Sequence, residues 1–190
     1  MTISKNLETS CIILAGGEGK RVGGQDKGLV RYKGQVLIAT VINSIKDQVD
    51  DIVISANRNI DAYRNFSHHV IKDSASEYRG PLSGIAASLP YCQHSHVLIV
   101  ACDMPTLPDD LVSRLSDAIE RNDTAIATIG GRHQLVMLIN KNSRASIQQR
   151  LDDNRLKLIQ WVESTSYRTV SFDDKAEAFI NINRLPDLDG

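Results

Sequence analysis

The sequence predicts an α/β fold with a mostly parallel central sheet flanked by helices, and two observations carry that reading. Short apolar runs rich in Val and Ile, as suit strands buried on both faces, alternate with segments whose apolar residues recur at helical spacing. The 190 residues, 42% of them hydrophobic, suffice for one substantial core, and no repeat, low-complexity tract or long linker divides them. A single domain over 1–190 is expected.

Taken in order, the first strand is expected at Cys11–Ala15. A glycine-rich segment follows, and a helix then buries Leu37, Ile38, Val41, Ile42 and Ile45. Strands are expected at Asp51–Ser55, His69–Lys72 and Val97–Ala101, with Gly80-Pro81 marking a helix start between the last two. Pro108 reads as a first-turn proline and Asp109-Asp110 as an acidic pair suited to a helix N-terminus; Leu111, Val112, Leu115, Ala118 and Ile119 continue that helix. Further strands are expected at Thr124–Ile129, Leu135–Asn140, Tyr167–Phe172 and Ala178–Ile182. Open α/β sheets bind ligands beyond the carboxyl ends of their strands. The loops carrying Gly16 to Lys27, Asn57 and Arg58, Asp73, and Cys102-Asp103-Met104-Pro105 should therefore share one rim.

The first of those loops, Leu14-Ala15-Gly16-Gly17-Glu18-Gly19-Lys20-Arg21-Val22-Gly23-Gly24-Gln25-Asp26-Lys27-Gly28-Leu29, is the most informative stretch of the chain. Glycines let main-chain N–H groups approach an anion without a Cβ in the way, and Arg21 and Lys27 add positive charge. Together they favour a nucleotide triphosphate. A P-loop is excluded because Gly19-Lys20 is followed by Arg21, so no Ser or Thr hydroxyl is placed for magnesium. A dinucleotide fingerprint would run straight into a helix, whereas polar, glycine-containing chain continues here through Gly34. A merely flexible turn is the bland alternative; the two cations and the Asp26-Lys27 pair speak against it.

Asp103 follows the apolar run Val97–Ala101 after Cys102, where a carboxylate would be held at the floor of the crevice. One such group can serve magnesium, which completes its octahedron with substrate phosphates and water; taken alone, the same Asp could simply make a turn with Pro105. Phosphates, metal and cations in one place suit phosphoryl or nucleotidyl transfer, where positioning and electrostatics supply most of the catalysis. His68, His69, His94, His96 and His133 form no metal-spaced pair and no triad, although His133, in Gly130-Gly131-Arg132-His133, could line an acceptor pocket. Arg155 and Lys157 read either as a solvated helix start or as partners of a phosphate-bearing second substrate. Asn181 and Asn183 would project to one face of a strand and could bind a polar heterocycle, or else form a turn before Pro186.

Net charge of −1 leaves no overall basic field for nucleic acid, and no apolar stretch approaches membrane-spanning length. The polar first ten residues contain no signal-like apolar region, so a cytoplasmic protein is expected, with Cys11, Cys92 and Cys102 reduced.

Leu14-Ala15-Gly16-Gly17 through Gly23-Gly24-Gln25-Asp26-Lys27-Gly28-Leu29, then Gly80-Pro81-Leu82-Ser83-Gly84, Cys102-Asp103-Met104-Pro105 and Phe179-Ile180-Asn181-Ile182-Asn183, occur in the order found in molybdenum cofactor guanylyltransferases. The chain resembles that family over nearly its whole length. The resemblance implies a Rossmann-like nucleotidyltransferase fold and transfer of GMP from MgGTP to molybdenum-molybdopterin, with release of pyrophosphate. It also implies a nucleotide-binding part over roughly 10–110 and a pterin-acceptor part over roughly 111–184. Leu14, Ala15, Gly16, Gly17, Ser55, Asp73 and Gly80 would then meet the nucleotide, Lys27 and Arg21 its phosphates, and Asp103 both GTP and Mg2+. Arg155, Lys157, Asn181 and Asn183 would face the pterin. Ser55 stands where the family commonly has Asn, and Gln134 where Pro often follows His. A transferase using CTP or another phosphorylated acceptor, and a non-catalytic subunit delivering cofactor to insertion proteins or molybdoenzymes, are the alternatives.

Overall fold

The apolar runs become sheet because their Val- and Ile-rich residues are buried on both faces, where β-branched side chains pack well against a pleated surface. The computed structural model describes residues 7–17, 25–73, 79–119 and 122–182. Strands β1 (Thr9–Leu14), β2 (Arg31–Tyr32) and β3 (Gln35–Val36) precede helix α1 (Leu37–Ile45), then β4 (Asp51–Ser55), α2 (Ile60–Tyr63) and β5 (His69–Ile71). The chain continues through α3 (Pro81–Ser88), β6 (His96–Ala101), α4 (Leu111–Ile119), β7 (Thr124–Ile129) and β8 (Arg132–Asn140). It closes with α5 (Arg144–Asp152), α6 (Leu158–Val162) and β9 (Tyr167–Ser171), followed by a 3-10 segment over Asp173–Phe179.

The main sheet runs in the order β5-β4-β1-β6-β8-β7-β9. Strand β1 pairs in parallel with both β4 and β6, β4 with β5, and β7 with β9; β8 alone is antiparallel to its neighbours β6 and β7 in this sheet. The expected mostly parallel sheet is thus present. Alternation along each strand divides the core into two layers. Cys11, Ile13, Leu98 and Val100 pack with α1 and α4 on one side, and Ile12, Val53, Val97 and Ile99 pack with α3, α5 and α6 on the other.

Three local readings are corrected. Ala178–Ile182 is not a strand: the 3-10 segment runs to Phe179, whose ring packs on Phe172 at 5.1 Å between centroids, and Ile180 is exposed. A backbone bond from Ile182 N to the Asp103 carbonyl at 2.9 Å ties this stretch down. Pro108 does not lie in the first turn of α4, which begins at Leu111; Asp109 and Asp110 stand immediately before that start, where the Asp110 carbonyl accepts from Arg114 N at 3.0 Å, and their side chains pair with Lys175 at 3.1 and 3.0 Å. The polar stretch through Gly34 holds the β2-β3 hairpin, whose turn residues Lys33 (φ 48°) and Gly34 (φ 80°) are both left-handed, as a tight hairpin of this hand requires.

Candidate functional site

Parallel pairing of β5, β4, β1 and β6 puts the carboxyl ends of these strands side by side, so their four loops share one rim, as expected. Strand β8 runs the other way, and with Val136 opposite Val100 its first residues, including His133 and Gln134, extend past the end of β6 at the same rim.

At the end of β1, the Leu14 carbonyl accepts from Cys102 N (3.1 Å), and Ala15 N donates to the Ser55 carbonyl (2.7 Å). These bonds carry the sheet one step past the strands and lock the start of the glycine loop. Gly16 lies against Asn57: a Cβ there would stand 3.2 Å from Asn57 Nδ2. Asn57 in turn holds Asp73 by a reciprocal pair, donating from Nδ2 to Asp73 Oδ2 (3.0 Å) and accepting from Asp73 N at Oδ1 (3.1 Å). Asn57 is therefore the residue that fixes Asp73 at the rim, a role the sequence reading missed although it placed Asn57 in the right loop. Ser55 is buried, with its hydroxyl 2.5 Å from where a Gly84 Cβ would sit, so its side chain is spent on packing β4 under α3.

Lys27 and Asp103 meet across the crevice, with Nζ donating to Oδ2 at 2.6 Å and both side chains about one-fifth exposed, at 20% and 18%. The second oxygen, Asp103 Oδ1, is buried and has no hydrogen-bond partner among the described residues. A buried carboxylate oxygen without a donor is costly unless something else coordinates it, and a hard cation is chemically suited to do so. Among the described residues no group of three His, Cys, Asp or Glu could enclose a metal. The fit is thus to an ion held by one carboxylate and completed by its ligand, not to a protein cage. Burial first, then the Asp103 charge, pushes the neighbouring Cys102 thiol well above its usual range, which keeps it protonated and removes it as a nucleophile.

Asp26 carries none of this chemistry itself; it is buried and satisfied on both oxygens. Tyr63 donates its hydroxyl to Oδ1, and Asn59 Nδ2 donates to Oδ2 at 3.0 Å. Burial, then Cys102 and Asp26, drive the Tyr63 hydroxyl far above its ordinary pKa, so it stays a donor. The tight Gly28 position has the same origin, because a Cβ there would lie 2.5 Å from Tyr63 Oη.

The residues expected to face the pterin lie on different elements. Asn181 is half-buried next to Ile182, whose amide binds the Asp103 backbone carbonyl, so the 181–182 segment reaches the Asp103 backbone without being a strand. Arg155 and Lys157 are exposed on the loop between α5 and α6, and Arg155 pairs only loosely with Asp153 at 3.8 Å. That loop abuts the start of α3, where the Leu156 carbonyl lies 3.6 Å from a Gly80 Cβ and Arg79 donates to the Leu151 carbonyl. An open groove of about 270 Å³ lies beside it, lined by Ile126, His133, Gln134, Met137 and Ile159. Arg21 and Asn183 lie outside the described residues.

The profile of the MobA-like NTP transferase domain matches residues 11–166. A molybdenum cofactor guanylyltransferase of Shewanella putrefaciens (strain CN-32 / ATCC BAA-453) is 42% identical over 182 residues, covering 94% of this chain and 93% of its own length. Another, from Shewanella sp. (strain ANA-3), is 40% identical over 181 residues, with 94% and 92% covered. In fold the chain matches the crystal structure of molybdopterin-guanine dinucleotide biosynthesis protein A from Archaeoglobus fulgidus, with a TM-score of 0.75, 21% identity and 95% of each chain covered. It matches almost as well a 4-diphosphocytidyl-2C-methyl-D-erythritol synthase from Anaerococcus prevotii, at a TM-score of 0.72, 15% identity and 97% and 96% coverage. With that profile match and relatives at this identity over nearly their full length, the chain belongs to the MobA-like NTP transferase family.

Proposed function

We propose that this protein transfers GMP from GTP to molybdenum-molybdopterin, forming the guanine dinucleotide cofactor and pyrophosphate. The observation that carries the reading is the Lys27–Asp103 pair, with one Asp103 oxygen buried and unpartnered among the described residues, at the rim beside a glycine loop. The named relatives support the choice of substrates. The acceptor's terminal phosphate oxygen attacks the α-phosphorus of GTP; the new P–O bond forms as the bond to the β-phosphate oxygen breaks. That acceptor is already anionic, so no general base is needed.

Lys27 lies where it can exchange its bond to Asp103 for phosphate oxygens and offset charge that grows in the transition state. Asp103 would hold Mg2+, which when bound neutralises phosphate charge and orients the triphosphate. Leu14, Ala15, Gly16 and Gly17 offer backbone at the nucleotide, with Asp73 and Gly80 flanking it. The 180–182 segment and the Arg155–Lys157 loop border the acceptor side. Cytoplasmic location, magnesium dependence and transient contact with cofactor-inserting proteins belong to the same proposal; no helix among the described residues is long and apolar enough to cross a membrane. The test is pyrophosphate release from GTP or CTP with Mg2+, with and without molybdenum-loaded molybdopterin. Turnover requiring both GTP and the pterin is expected. Turnover with CTP alone would overturn the base assignment, and tight nucleotide binding without turnover would overturn the enzyme reading.

A further inference from the structure

Arg58 and its neighbours in the β4-α2 loop take no part in the chemistry above, yet they grip both flanks of the glycine loop. Arg58 Nη2 donates to the Gln25 carbonyl at 2.8 Å and more weakly to the Gly17 carbonyl at 3.4 Å. Its Nε stands 3.8 Å from Asp26 Oδ2. Asn59, held at a left-handed φ of 50°, and Tyr63 from α2 supply the two donors that satisfy Asp26. Immediately after Asp26 comes the 3-10 turn of Lys27–Leu29, closed by Leu29 N to the Asp26 carbonyl (3.0 Å) and Val30 N to the Lys27 carbonyl (3.3 Å). The backbone of Lys27 is thus bounded on one side by a carboxylate clamped in the interior and on the other by Gly28 packed on Tyr63.

We propose that Arg58, together with Asn59 and Tyr63, is a positioning device that acts through Asp26 to hold the Lys27 ammonium at Asp103. Arg58 touches two carbonyls that bracket residues 18–24, so it ties the entry and exit of the glycine loop to one guanidinium. Its planar fork can hold carbonyls and a carboxylate at once, which a lysine ammonium on a flexible stem does less well. The tie matters because displacing a charge-stabilising group by about 1 Å can cost on the order of 100-fold in rate. The inference rests on the Lys27 role proposed above.

The test compares Arg58→Gln, Arg58→Lys and Tyr63→Phe in single-turnover GMP transfer, which stays measurable in slow variants, together with hydrogen exchange of the Leu29 and Val30 amides without nucleotide. Arg58→Gln and Tyr63→Phe are expected to slow transfer about tenfold, with KM for the pterin changed less than about twofold; the thermal midpoint should be nearly kept in Arg58→Gln and lowered in Tyr63→Phe, which leaves Asp26 Oδ1 buried without its donor. Arg58→Lys should recover part of the rate. In a Lys27→Ala background, Arg58→Gln should add less than about twofold, because residues that act through one group are not additive. Faster exchange of the two amides should accompany the rate loss. An unchanged rate, the full loss repeated in the Lys27→Ala background, or unchanged exchange would each overturn the proposal. If Lys27→Ala itself transfers GMP at the wild-type rate, the parent reading fails instead, and the exchange data still decide whether Arg58 orders the turn.

Discussion

Lys27 and Asp103 are 76 positions apart in sequence and 2.6 Å apart in space, and the candidate chemistry is concentrated in that one contact. Asp103→Asn is expected to lower GMP transfer on the order of 100- to 1,000-fold, with the unfolding midpoint moving by no more than about 2–4 °C. Steady-state kinetics and a thermal melt of the same sample check both halves. Gly28→Ala should behave in the opposite way. Its added methyl meets the oxygen of a fully buried tyrosine that cannot swing aside without breaking its bond to Asp26, so a loss of about 1–3 kcal/mol is expected in urea titration. Asp26, Lys27 and Gly28 thus sit together in one motif for three different physical reasons: a buried anchor, a charged group at the site and a close approach. The residue types were legible in the sequence, but those separate duties were not, because Asn59 and Tyr63 come from a distant part of the chain, the start and end of α2.

At the scale of elements, the proposed acceptor side is held largely by packing. Helix α6 spans only Leu158–Val162 and is pinned by Trp161, which is fully buried and donates its indole N–H to Ser146 Oγ of α5 at 3.1 Å. Trp161→Ala should cost about 3–5 kcal/mol by urea unfolding. The C-terminal 3-10 segment is tied to α4 by Arg114, which lies 4.0 Å from the centre of the Phe172 ring and donates to Asp174 at 2.9 Å and to the Ser171 carbonyl. Arg114→Ala is expected to loosen that segment and, through Ile182 at the Asp103 carbonyl, to raise KM for the pterin severalfold while KM for GTP is retained. An equal rise in both would show that the segment does not serve the acceptor side. Helices α1 and α4 were legible from their apolar stripes. Helix α5 was not, since Ile147 and Leu151 are its only buried apolar residues and, Ala145 apart, the rest of its sequence is polar. The apparent strand at 178–182 failed for the converse reason: its apolar residues are there to pack singly, Phe179 on Phe172 and Ile182 beside Leu37, and not to line a ladder.

For the molecule as a whole, burial of all three cysteines gives a pH dependence with a definite sign. Cys92 is pushed up from 9.0 to about 12, mainly by burial and next by the Asp51 carboxylate, and Cys11 and Cys102 are raised as well. Well below pH 9 the thiols are largely protonated in folded and unfolded chains alike, and they contribute little pH dependence. Above it the unfolded chain releases protons that the folded chain keeps, so stability falls as pH rises from about 9 towards 12. Urea midpoints measured across that range should decline, and the decline should shrink in Cys92→Ala. Native protein at pH 8 should also react slowly with thiol reagents and quickly once unfolded.

The sequence by itself determined the α/β class, the strands of the main sheet other than their exact ends, and the glycine loop with Lys27 and Asp103 as the charged groups of interest. Those features are written in local periodicity and in residue types whose chemistry needs little context. Only the tertiary structure decided that Asn57 carries Asp73, that Ser55 turns into the packing under Gly84, that Arg58 joins the two flanks of the loop, and that an irregular segment ending at Ile182 docks on the Asp103 backbone. Each of these depends on which strands lie side by side. Strand order β5-β4-β1-β6 is set by crossover packing across the whole core, and no local pattern encodes which loop will face which.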